Sequence, residues 1–148
     1  MYRGAAQSIQ ATGKWFGDWG HGELYILAGK WEMEDLQNHA MDCLVGWCRE
    51  YNGLPDVEAI RTIFQSTDRS SRLRRFVVCQ TVHFIGTPDW TNEAEGYCQE
   101  LVNIGGEFGM DVMKLMRGSM KRHIKDPIHQ RNCDFHSHAS GKRCDGRR

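Results

Sequence analysis

The sequence predicts a mostly α-helical bundle. Apolar residues recur at spacings of three and four through the body of the chain. No segment shows apolar–polar alternation bounded by turns, so strand content is expected to be low. Turn-forming runs (Asn52-Gly53, Gly86-Thr87-Pro88-Asp89 and Gly105-Gly106) separate the expected helices. The chain has 148 residues, which suits one domain around one core.

Residues 1–20 are rich in glycine and polar residues, and Gly4, Gly13, Gly17 and Gly20 interrupt any helix. This stretch is expected to be a poorly ordered leader whose Trp15, Phe16 and Trp19 could dock on a surface. A first helix is expected from about Gly22 to Gly29, with Leu24, Leu27 and Ala28 facing inward. The second helix, about Met33 to Tyr51, is the most regular. Leu36, Ala40, Cys43, Leu44, Trp47 and Tyr51 make one apolar stripe, and Glu32, Glu34 and Asp35 favour the positive end of its dipole. Asn52-Gly53 supplies the stop.

Pro55 suits the first turn of a third helix that buries Val57, Ile60, Ile63 and Phe64. Thr67 to Ser71 reads as a polar connector, and Ser70 or Ser71 can cap a fourth helix from Arg72 to about Ile85. Leu73, Phe76, Val77 and Phe84 are its expected core face. Trp90 to about Asn103 and Glu107 to about Met116 read as a fifth and a sixth helix, with Gly105-Gly106 as a flexible joint between them. From Arg117 onward the apolar period fades into a basic tail bearing histidines and cysteines.

Charge is unevenly distributed. Residues 1–116 hold 10 Lys+Arg against 16 Asp+Glu, and residues 117–148 hold 9 against 3. A basic tail on an acidic body has three chemical outlets: the body itself, a nucleic acid, or an acidic protein. A simply solvated tail is the plain alternative. No apolar run approaches the ~20 residues needed to cross a bilayer, and Met1 to Ile9 has no apolar stretch of a secretory signal. No membrane association is expected, and the expected location is intracellular, in nucleus or cytoplasm. Free thiols or metal ligands are then expected rather than disulfides among the six cysteines. Cys43, Cys48, Cys79 and Cys98 lie in helix-like stretches and read as small core hydrophobes.

Enzyme signatures are missing: there is no His-Glu-x-x-His, no Gly-x-Ser-x-Gly and no glycine-rich loop ending in Lys-Ser or Lys-Thr. Gly105 to Gly109 has no expected strand before it and no lysine after it. A non-catalytic protein is therefore expected. The one constellation with metal-ligand spacing is Cys133, His136, His138 and Cys144, a Cys-x2-His-x-His-x5-Cys series. Zinc takes four nitrogen or sulfur ligands in a tetrahedron, and a filled shell makes a structural site. The Cys-x2-His step suits one tight turn, extended backbone puts His136 and His138 on one side, and Ser140-Gly141 permits the return to Cys144. Three other readings stay open: a disordered polar tail, a Cys133–Cys144 disulfide, and His123 or His129 in place of one ligand. Arg69, Arg72, Arg74 and Arg75 form a further cluster. It reads either as an anion or partner patch or as a solvated face paired with Asp68 and the acidic second helix.

Tyr25, Leu27, Ala28, Lys30 and Trp31, followed by Leu36 and Ala40, resemble the closing helices of the BTB/POZ fold. Ile60 to Thr67 followed by Ser71-Arg72-Leu73-Arg74 is similar to the helix pair that follows this fold in fungal BTB-domain proteins. Cys133, Phe135, His136 and His138 resemble the Cys/His tail of those proteins. The resemblance spans roughly residues 22–144 and implies this organisation: residues 21–52 as C-terminal helices of a truncated BTB-like domain, 53–116 as a helical extension, and 117–148 as a Cys/His tail with a possible zinc loop. It implies a protein–protein adaptor with a structural zinc. The strand-rich half of the BTB fold supplies most of the dimer interface and much of the cullin-facing surface. Residues 1–20 cannot encode it, so homodimerisation and cullin binding are not expected to carry over. Without it, an apolar face including Trp31, Met33 and Trp15 is expected to be exposed. Gly29 stands where the family commonly has an acidic residue and is expected to fray the first helix. The alternative expectation is a small nucleic-acid-binding protein that uses the basic tail and the zinc loop.

Overall fold

In the computed structural model the described residues are 15–17, 20–51, 53–86, 92–119, 127–129 and 135–136. They form a mostly α-helical bundle. Its elements run β1 (Trp15–Gly17), α1 (Gly20–Lys30), α2 (Glu34–Tyr51), β2 (Gly53–Pro55), α3 (Val57–Ser66), α4 (Arg72–Ile85), α5 (Asn92–Ile104) and α6 (Gly106–Ser119), then a 3-10 turn at Pro127–His129.

Three helices show a local cause for where they begin, whereas Ser71, at the start of α4, makes no side-chain capping bond. Glu34 and Asp35 sit in the first turn of α2, where carboxylates suit the dipole. Asp56 caps α3, its Oδ1 accepting from the Ala59 N–H at 2.6 Å. Gly105 and Gly106 both hold positive φ, 57° and 55°, and turn the chain from α5 into α6. The glycine pair is therefore a tight left-handed turn, where a flexible joint was expected.

α4 is the central element. Leu73, Phe76, Val77, Val78, Val82 and Phe84 are all buried along it. Around them lie Met41, Leu44 and Val45 of α2, Leu54 of β2, Ile60 and Ile63 of α3, and Phe108 of α6. Tyr97 of α5 donates from its hydroxyl to the Pro55 carbonyl at 2.6 Å, and its ring meets Phe84 edge-on at 5.6 Å.

Four expectations need correction. Trp15–Gly17, read as part of a leader, forms a strand parallel to Gly53–Pro55. Pro55 closes that second strand and does not open α3; the Asp56 cap performs the start. Leu27 is 40% exposed, because Tyr25 and Ala28 take the inner face of α1. Gly29 does not end α1, which continues to Lys30. A Cβ there would press on the Gln37 amide nitrogen at 2.6 Å, and that amide donates to the Tyr25 carbonyl at 3.5 Å. Gly29 thus leaves room for a side chain that ties α2 to α1.

Candidate functional site

The sequence-predicted site lies in the C-terminal tail, and two short pieces of that tail are described. Both pack on the helical body. Ile128 is buried, and its carbonyl accepts from Arg49 of α2 at both Nε (3.2 Å) and Nη2 (2.6 Å). Phe135 is 1% exposed and meets Phe76 of α4 edge-on, with ring centroids 5.0 Å apart. This is a full core position, worth about 2–3 kcal/mol in apolar burial for a side chain of this size. His136 follows, buried, with Nε2 2.7 Å from Oδ1 of Asp42 on α2. A plain solvated tail is thus ruled out at these positions.

Of the four predicted ligands, His136 is placed; Cys133, His138 and Cys144 lie outside the described residues. His123 and the side chain of His129 also lie outside them. Among the described residues no group of three His, Cys, Asp or Glu side chains converges on a point where a metal could sit. The arrangement at His136 nevertheless fits one requirement of a metal ligand. Ligating histidines almost always give one ring nitrogen to a carboxylate or carbonyl, which fixes the tautomer and ring orientation and leaves the metal to the other nitrogen. Asp42 is placed to be that carboxylate.

The arginine cluster resolves into structure at two of its members. Arg74 is 5% exposed. Its Nη1 meets Glu107 Oε2 at 2.6 Å, its Nε donates to Thr67 Oγ1 at 3.0 Å, and its Nη2 donates to the Phe64 and Thr67 carbonyls. Its guanidinium also lies over the Phe64 ring, 4.7 Å from the centroid. Arg69 meets the other carboxylate oxygen, Glu107 Oε1, at 2.6 Å. Hydrogen bonds from Arg69 and Arg74 hold the Glu107 carboxyl below the ordinary glutamate range. Two of the four arginines thus clamp α6 to the α3–α4 connector. Their hydrogen-bonded partner is Glu107, where the solvated-face reading had named Asp68 and the second helix.

Cys43, Cys48, Cys79 and Cys98 are free thiols. Cys48 is a core residue as expected; Cys43, Cys79 and Cys98 are only partly buried. Burial pushes the Cys79 and Cys98 thiols up, despite Arg75 beside Cys79, which makes both weak nucleophiles. A cleft of about 380 Å³ lies open to solvent between α1 and the α3–α4 connector, with Lys30, Gln37, Asp68 and Ser70 on its walls.

Among the described residues, large apolar side chains are exposed in two groups, besides Val102 of α5. At the α1–α2 corner, Trp31 is 62% and Met33 46% exposed, beside Leu27. Trp31 follows the last residue of α1, its N–H donating to the Leu27 carbonyl at 3.2 Å. On α6, Met110, Met113 and Met116 are exposed at successive spacings of three. The α1–α2 corner was legible in the sequence at Trp31 and Met33; the side chain of Trp15 lies outside the described residues. Asp42, Arg49 and Glu107 were not legible, because each acts on a residue 33 to 94 positions away. Among the described residues no helix is long and apolar enough to cross a membrane.

No protein-family model, curated protein or solved structure matches the chain.

Proposed function

We propose that the chain is a non-catalytic, BTB-like helical adaptor that binds protein partners through the α1–α2 corner. The observation that carries this is the exposure of Trp31, Met33 and Leu27 together on one corner. Large apolar side chains grouped at a surface mark interaction sites more often than chance scatter does, and tryptophan is the residue most enriched at binding hot spots. The resemblance of Tyr25 to Ala40 to closing BTB helices supports the same corner, since a strand-rich layer covers that region in the family. The tail is clasped to the body by one structural zinc held by Cys133, His136, His138 and Cys144, with Asp42 orienting His136. When bound, the zinc supplies cross-linking of the tail; Phe135 and His136 supply its seat on α4 and α2.

Proximity labelling in cells, comparing the wild-type chain with a Trp31→Ser/Met33→Ser variant, tests the adaptor reading. A set of neighbouring proteins lost in the variant is expected; an unchanged set contradicts the reading. Salt-sensitive binding to generic RNA that disappears when residues 117–148 are removed would favour the nucleic-acid alternative instead. For the clasp, limited proteolysis should cut the tail faster with a chelator present, and identical cleavage would count against zinc.

A further inference from the structure

We propose that His39 and Cys43 of α2 form a binding edge for a thiophilic divalent cation, zinc foremost, separate from the tail cluster. The two residues are four apart on one helical face, the spacing at which a helix offers two side chains to one ion. Cys43 Sγ and His39 Nε2 lie 3.6 Å apart. In a tetrahedral zinc site, a Zn–S bond of about 2.3 Å and a Zn–N bond of about 2.05 Å place sulfur and nitrogen about 3.6 Å apart. The separation of the pair therefore matches one edge of a coordination tetrahedron.

The edge is accessible and held firmly. His39 is exposed and Cys43 half-buried. Their backbone is fixed by the buried Ala40, Met41, Leu44 and Val45 on the opposite face of α2. One turn further on, Gly46 is exposed and carries no side chain, with nothing within 4 Å of where its Cβ would be. Asp35 and Asp42 on the same helix add negative charge nearby, which favours a cation. Without metal, the same contact is a thiol–imidazole hydrogen bond. On binding, the thiol proton leaves to solvent, the cation takes its place between sulfur and Nε2, and Nδ1 keeps the ring's proton. Water fills the two remaining positions, so the site is open and weaker than a four-ligand clasp.

Cobalt titration tests this independently of the tail. A chain carrying Cys133→Ser and Cys144→Ser should still take up one cobalt ion with near-ultraviolet thiolate-to-cobalt absorption, displaced by zinc. Adding His39→Ala or Cys43→Ser should abolish that absorption. Its absence in the tail variant, or its survival in Cys43→Ser, would overturn the proposal. Should the tail variant fail to fold, Cys43→Ser in the otherwise unchanged chain decides. It should bind one equivalent less than wild type with unchanged helical circular dichroism, whether wild type holds one ion or two. Equal metal content in the two proteins would overturn the proposal.

Discussion

At the scale of single residues, the side chains that fix this molecule are those that leave the periphery for the core. Arg74 is an arginine at a core position, held there by Glu107, Thr67 and two carbonyls. Replacing it by alanine strips those carbonyls of a donor and is expected to cost about 2–3 kcal/mol, read as a lowered denaturant midpoint. The same change at Arg69, 83% exposed in its side chain, should be barely measurable. Glu107 gives the clamp a pH signature. Its folded-state pKa lies below the unfolded value, so its contribution is complete above the ordinary glutamate pKa of about 4.3 and is lost as pH falls through the lower folded value. Unfolding curves taken between neutral pH and pH 3 should therefore show less acid sensitivity in Glu107→Gln than in wild type. Phe135 makes the strongest single-residue case for the tail. Phe135→Ala removes a fully buried ring stacked edge-on with Phe76 and should destabilise the fold by about 3–5 kcal/mol. A loss of under about 1 kcal/mol would mean that the tail does not belong to the core.

Elements divide into those whose cause is local and those whose cause is remote. The apolar spacing of Leu73, Phe76, Val77 and Phe84 lies within one helix, and α4 and its core face were legible for that reason. The same holds for the α2 stripe, with Ala40 and Leu44 buried. β1 and β2 were not legible. Each is three residues long, and their pairing joins positions 38 apart, so no two-residue alternation can announce them. Gly53 belongs to this pairing for a steric reason: a Cβ there would collide with the Trp47 ring. The cap at Asp56 was in reach of sequence reasoning, but Pro55 masked it by offering an equally plausible helix start. The α5–α6 turn gives an element-scale prediction. Gly105 sits at φ 57° with open space around it, so alanine there meets no clash and bears only the left-handed backbone penalty. Gly105→Ala should cost about 1–2 kcal/mol, and a neutral or stabilising result in thermal unfolding would show that the turn relaxes.

At the scale of the molecule, the described residues form a helical body on which two short pieces of the tail, Pro127–His129 and residues 135–136, pack against α2 and α4. Of the candidate metal cluster, sequence spacing singled out His136, and the fold adds Asp42, which no local pattern could supply because the two are 94 residues apart. At the exposed corner, Trp31 and Met33 were expected outside because the strand-rich layer of the resembled fold is missing, whereas Leu27 was expected inside. Tyr25 and Ala28 are buried, leaving Leu27 and Trp31 outside.

The central claim is that this corner is a protein-docking surface, and sedimentation velocity with an apolar-sensitive dye tests it most directly. Wild type should bind the dye or associate as concentration rises, and Trp31→Ser/Met33→Ser should do so markedly less while keeping its helical content, the remainder being what the α6 methionines contribute. A wild-type chain that stays monomeric and dye-negative at every concentration would contradict the account.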